Sequence, residues 1–392
     1  MKSLGWKNIR IVVLLLCGVG FFVLLKLGNQ EFLNTGTPKT VEIKNIQIGG
    51  WKTSHKQWAI KTKSAWAYQN LDQSTVEDVF DGEFYDQGKV ILKNLKAKLV
   101  HANSQSGRLQ ADHQISAVIL RYQKSGVQPV QIFAEQLLYD SNTLQTQLLK
   151  DVRLHEGENK IYTQEALLDH GSQQVFFKQG ILFKHAQDTL RAPQLTITEQ
   201  RNEYHFSGGV TFSRENLQSY CQEVISIMKN NFNHAQLRGK IKVRQRGKIL
   251  LGENGFYDEA HDTLTISKNA ELLMNQSGTL PEESDLSRLQ RQDIKNLLEN
   301  EVLVKAEQLI VHIGSGDVEA LGNVSIKRKN QQARALRAHF NQKEHQILLS
   351  ESAEIQQADG NWVSAEQVLV NTQTQEFTAL GKVETTIFHN EQ

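Results

Sequence analysis

Asp151-Val152-Arg153-Leu154, Gly180-Ile181-Leu182-Phe183 and Gly209-Val210-Thr211-Phe212 begin 29 residues apart. In an extended chain, alternate side chains share a side, so Val152 with Leu154, Ile181 with Phe183 and Val210 with Phe212 fall on one face. A fixed period over short alternating runs is the mark of a strand repeat. Between these runs lies a second recurrent stretch, Ala134–Asp140, Gln164–Asp169 and Ala192–Ile197. Each unit is thus two strands and two turns.

Further on, Val304–Val311 matches Val363–Val370 at an offset of 59, and Ala320-Leu321-Gly322-Asn323-Val324 overlays Ala379-Leu380-Gly381-Lys382-Val383 at the same offset. Ser352-Ala353-Glu354-Ile355 sits about halfway, so the larger period is two units. One unit cannot bury its apolar face alone, and neighbours must stack into a common hydrophobic interior. The predicted inward face holds Tyr204, Phe206, Gly208, Val210 and Phe212, with equivalents Val175 to Phe183 and Val318 to Ile326. Gly208, Gly322 and Gly381 recur in the middle of that face, where a missing side chain permits either sheet bending or close approach of something bound.

Two segments break the rhythm. Glu215 to Asn231 carries Leu217, Val224, Ile227 and Met228 at the spacing of a short amphipathic helix that contains Cys221. From Gln276 to Glu301, Ser284 or Asp285 could cap a helix bearing Leu286, Leu289, Ile294, Leu297 and Leu298. Both read as insertions or edge covers.

At the N-terminus, Ile11 to Leu25 is entirely apolar or glycine, just long enough to span a bilayer when Arg10 and Lys26 reach the interfaces. Lys2, Lys7 and Arg10 precede it and predict a cytoplasmic N-terminus with the bulk of the chain outside. A cleaved signal peptide is the rival reading, but no small-x-small site follows Lys26. The expectation is an uncleaved single-pass inner-membrane anchor with residues 40 to 392 in the periplasm.

A net charge of +1 excludes a globally basic nucleic-acid binder, so no nucleic-acid partner is expected. Two cysteines, Cys17 and Cys221, make neither a disulfide framework nor a zinc cluster, and the thirteen histidines lack ligand spacing. No serine-nucleophile, zinc-protease, phosphate-loop or dinucleotide signature appears, so neither enzymatic activity nor a metal or cofactor is expected. One charged feature is sharper. Arg238, Lys240, Lys242, Arg244, Arg246 and Lys248 occupy every second position, with Ile241, Val243 and Ile249 opposite. As a strand this is a cationic stripe, either protecting a sheet edge from aggregation or contacting phosphate groups of a lipid or an acidic partner.

The N-terminal anchor, the strands typified by Ala134–Asp140 and the Gly-Asn-Val-Ser-Ile and Leu-Gly-Lys-Val strands together resemble the periplasmic lipopolysaccharide-transport family of LptC and LptA, the OstA-like group. The likeness covers roughly residues 1 to 213 and 303 to 388. It implies an all-β fold, an antiparallel taco-like β-jellyroll whose greasy interior carries acyl chains. It implies as partners lipopolysaccharide, an inner-membrane ABC transporter complex and an LptA-like periplasmic protein joined edge strand to edge strand. The implied groove residues are Val152, Leu154, Ile181, Phe183, Val210, Phe212, Val324, Ile326 and Val383. The chain exceeds the short LptC pattern about twofold. The expected organisation is therefore a tip and anchor (1–30), an LptC-like jellyroll (40–213), a bridging segment (214–248) and an LptA-like body (249–390) with the helical insertion 276–301. Two rivals stand beside the carrier, a membrane-tethered structural β-solenoid with a filled interior, and a carbohydrate-processing β-helix, for which no repeated acidic ladder speaks.

Overall fold

In the computed structural model the described residues are 39–386, apart from 53, 69–72, 124–125, 216, 230–231, 246, 275–301, 329–330, 359 and 375. The expected membrane anchor and the expected helix over 276–301 lie outside them. No helix among the described residues is long and apolar enough to cross a membrane.

The chain is all-β, a 22-stranded antiparallel sheet. The first strands are β1 (Lys39–Lys52), β2 (His55–Tyr68), β3 (Gln73–Asp86), β4 (Lys89–Asn103), β5 (Arg108–Gln123), β6 (Gly126–Asp140), β7 (Gln145–Glu156) and β8 (Asn159–Asp169). They are followed by β9 (Gln174–His185), β10 (Asp188–Thr198), β11 (Glu203–Arg214), β12 (Leu217–Lys229), β13 (Phe232–Gln245), β14 (Lys248–Asp258) and β15 (Thr263–Met274). The last are β16 (Val302–His312), β17 (Val318–Arg328), β18 (Gln331–Asn341), β19 (Gln346–Gln357), β20 (Trp362–Asn371), β21 (Phe377–Leu380) and β22 (Glu384–Thr386).

Two compact units share this chain. One takes the described residues up to Val118 together with Gln136–Leu144. In it Phe84 stacks on Tyr139 at 4.3 Å, and both are fully buried. The other takes Ile119–Glu135 and everything from Gln145 onward. It holds the repeats.

Every ladder from β7 to β20 breaks register once, near its middle. Between β11 and β12, Ser207 pairs Glu223 and Val210 pairs Cys221, so Gly208 and Gly209 oppose Gln222 alone. Two residues against one is a β-bulge, which bends and twists its strand. The odd-numbered strands supply the pair of residues, always with positive φ, including Lys150-Asp151, Gln179-Gly180, Gly208-Gly209, Lys268-Asn269 and Gly322-Asn323. The repeat of the sequence is therefore a repeat of bulges. Gly208, expected on the apolar face, is exposed at the bend, where a Cβ would come within 3.0 Å of Pro193 on the next strand. Bending, and a close approach by the protein itself, accounts for this glycine.

The bulge has opposite effects on the two strands. Skipping two residues keeps the alternation in phase, and Phe177 and Ile181 are both buried around exposed Gln179. Skipping one reverses it, so β12 buries Leu217, Ser219 and Cys221 and then Val224. This corrects the helix expected over Glu215–Asn231. Leu217, Cys221 and Val224 stand four and three residues apart because a bulge interrupts a strand, and Ile227 is 38% exposed. The bridging segment expected at 214–248 is likewise two strands, β12 and β13, in a ladder continuous from β11 to β14.

Candidate functional site

The bends turn the sheet of the repeat-bearing unit back on itself. Arg214, at the end of β11, donates from Nη1 to Tyr257 Oη at 3.3 Å, at the end of β14. Three strand spacings in a flat sheet are roughly 14 Å, so that bond requires two halves of the sheet to face each other. Phe183 on β9 meets Tyr204 and Phe206 on β11 edge-on at 6.1 and 5.7 Å, with β10 paired between these strands.

Between the facing halves lies a cavity of about 150 Å³. Its wall is apolar, built from Phe183, Leu190, Phe206, Val210, Phe212 and Leu217, with Cys221, Val224, Leu237 and Leu264 completing it. Close-packed cores leave few voids larger than a water molecule, so a space of this size with three phenylalanines in its wall has room for an apolar ligand. Burial pushes the Cys221 thiol up to about 12, which keeps it neutral and apolar in character. A smaller cavity of about 20 Å³ adjoins Leu154, Ile161, Val175 and Tyr204.

Polar side chains roof both spaces. Over the larger one, Arg214 donates to the Asp188 carboxylate, and its rim includes Asn159, His185, Tyr257 and Glu259. The hydrogen bond to Asp188 raises the Arg214 pKa further, so the guanidinium is permanently charged. Over the smaller one, Arg121 lies between Glu156, at 2.7 Å, and Glu199, at 3.1 Å, and Tyr204 donates to Glu156 at 3.2 Å. Burial disfavours the charged Arg121, but Glu156, Tyr204 and Glu199 outweigh it and raise its pKa. Burial pushes Tyr204 up to about 12 and raises Glu199, the latter opposed by Arg121.

Among the residues expected in the groove, Phe183, Val210 and Phe212 line the larger cavity and Leu154 the smaller one. Val152, Ile181, Val324 and Ile326 are buried in the packed interior. Val383 departs from the expectation: it is 49% exposed between β21 and β22, the last strands among the described residues. The basic run also divides. Arg238 and Lys240 are exposed and Lys242 and Arg244 half-buried on the outer side of β13, whereas Arg246 lies outside the described residues. Lys248 is 3% exposed, because the chain turns after Gln245 and Lys248 opens the next strand. Its ammonium donates to the Gly316 carbonyl and sits 4.3 Å from the centre of the Phe340 ring. Nor is β13 an edge strand, since β12 and β14 flank it, so edge protection does not explain its cations. The roof residues escape a reading of the sequence. They sit singly at strand ends and form no local motif; their only signal is recurrence at the hairpins.

Compared with known proteins, residues 296–376 match the family profile described as LptA/(LptD N-terminal domain) LPS transport protein. Among solved structures the chain is similar to LptH, the LptA-homologous periplasmic component of the lipopolysaccharide transport device of Pseudomonas aeruginosa. The identity is 14% and the TM-score 0.20, over 44% of this chain and 95% of that one, a likeness too loose to bear on function. No curated protein matches the chain.

Proposed function

We propose that this chain, whose residues 296–376 match the LptA/(LptD N-terminal domain) profile, belongs to the OstA-like lipopolysaccharide-transport family and carries lipopolysaccharide or a related amphipathic lipid in the cavity between its bent half-sheets. The observation that carries this reading is the apolar cavity itself, where a structural solenoid would have a filled interior. In this reading Phe183, Val210 and Phe212 contact acyl chains. The N-terminal apolar run anchors the chain in the inner membrane, an ABC transporter complex delivers the lipid, and the periplasmic body passes it toward the outer membrane. The last strands support an onward partner: Phe377, Leu380 and Val383 are exposed apolar residues at the end of the sheet, suited to an LptA-like protein that adds its own strand. Arg238, Lys240 and Lys242 lie on the outer side of β13, where they serve anionic headgroups or an acidic partner; Arg244, on the same strand, has buried guanidinium nitrogens and is not part of that contact.

Co-purification of lipopolysaccharide with the full-length chain tests the cavity. Phe212→Asp places a carboxylate in the apolar wall and should reduce bound lipid at least about tenfold, since an unpaired charge strongly disfavours apolar neighbours. Leu336→Asp, at an exposed outer position, is the control. Equal lipid on both folded variants would contradict the carrier and leave the solenoid scaffold.

A further inference from the structure

The polar roof has a regular plan. Hairpins at one end of the bent strands (the β7–β8, β9–β10, β11–β12 and β13–β14 turns) make one lip, and hairpins at the other end (β10–β11, β14–β15 and β16–β17) make the second. Three straps join them. Arg121 and Glu156 on the first lip hold Glu199 and Tyr204 on the second. Arg214, backed by Asp188, holds Tyr257. Gln245 donates to the Ile313 carbonyl at 2.6 Å, and beside it Lys248 holds the Gly316 carbonyl.

Asp188, Arg214, Tyr257 and Ile313 also line the larger cavity, and Arg121, Glu156, Glu199 and Tyr204 line the smaller. The straps are therefore the wall on the side where, among the described residues, no backbone ladder joins the two lips. On the opposite side the bulges supply a line of bends, and the ladders there run unbroken from lip to bend. Swinging the halves apart about that line breaks a few side-chain bonds, which water can replace at little net cost, and leaves the backbone pairing in place.

We infer that the straps are a latch along the mouth of the cavity, and that the mouth parts at the straps to admit an apolar chain from the side. What passes through rests on the carrier reading; the latch itself does not. Cys221 is a built-in reporter, because its thiol lines the cavity and is 1% exposed. In the full-length chain with Cys17→Ser, alkylation of Cys221 by a small apolar maleimide needs no lipid. In the otherwise unaltered protein, labelling at low urea should proceed at a rate almost independent of denaturant, as local opening does, and join the steep global limb only near the unfolding midpoint. Tyr257→Phe, which removes the acceptor of Arg214, combined with Gln245→Leu should raise the low-urea rate at least about tenfold, while the midpoint moves little.

A single steep limb in the unaltered protein would overturn the latch. So would an acceleration in the variant no larger than its loss of global stability explains. If lipopolysaccharide fails to protect Cys221 while strap variants still accelerate labelling, the cargo is wrong and the latch stands. If lipid protects Cys221 and strap variants change nothing, the reverse holds.

Discussion

Phe177 and Phe212 belong to the same repeat face but do different work. Phe177 is 1% exposed and closely packed, so Phe177→Ala should cost about 3–5 kcal/mol in urea unfolding. Phe212 borders an existing space and is half-buried, so Phe212→Ala should cost less than about 2 kcal/mol. Equal losses would mean the cavity is closed in solution. His170 offers a pH test. Its Nε2 lies 2.9 Å from Thr146 Oγ1, and burial lowers its pKa from 6.5 to about 4. A folded pKa below the unfolded one means the folded state resists protonation. The associated stability is complete above about pH 6.5 and is lost as pH falls toward 4. At a half-buried ring this amounts to on the order of 1 kcal/mol, and His170→Gln should remove that part of the slope between pH 7 and 4.5. An unchanged slope would assign it to His101 and His155, which burial shifts the same way. At this scale the apolar rows are legible in the sequence, because alternation is local. The burial of Lys248 is not, because the turn at Gly247 has no stronger signal than the lysines and arginines around it.

The elements are legible as far as their periodicity stays simple. Asp151, Gly180 and Gly209, which open the overlaid runs, are the second residues of successive bulges, so the 29-residue period marks the bends themselves. The bulge also misleads. By reversing phase in β12 it spaces Leu217, Cys221 and Val224 like a helix, and no single-strand pattern distinguishes the two without the register of β11. The bends can be tested where glycine supplies them. Gly180 has φ +76° and open space around its Cβ position, so Gly180→Ala should cost about 1–2 kcal/mol from the left-handed backbone alone. Gly208, at φ +90° with Pro193 Cγ 3.0 Å from that position, should cost about 1 kcal/mol more. The opposite order would mean Pro193 yields freely. On β13, changing Arg238, Lys240 and Lys242 together to Gln should weaken binding to anionic vesicles at low salt and leave the melting temperature nearly unchanged, since these side chains are exposed or half-buried on the outer face. The Arg244 guanidinium has buried nitrogens and is left in place. Binding that is unaffected by the change would remove headgroup contact from the role of this strand.

For the molecule as a whole, an all-β stacked fold follows from the repeats, but the presence of a space inside it does not. Phe183 and Phe212 look the same in a sequence whether their rings meet other side chains or a ligand. The difference depends on which halves of the sheet face each other, and contacts such as Arg214 with Tyr257, 43 residues apart, decide that. The carrier account therefore rests on what touches the inner face. A photoreactive residue placed in turn at Phe183, Phe212, Leu182 and Thr211 in living cells measures this most directly. The first two positions line the cavity, and their neighbours alternate to the outer side. The account predicts lipopolysaccharide adducts from Phe183 and Phe212 while the transporter hydrolyses ATP, and none from Leu182 and Thr211. Equal labelling of both faces, or no adduct from the inner positions of a folded chain, would contradict it.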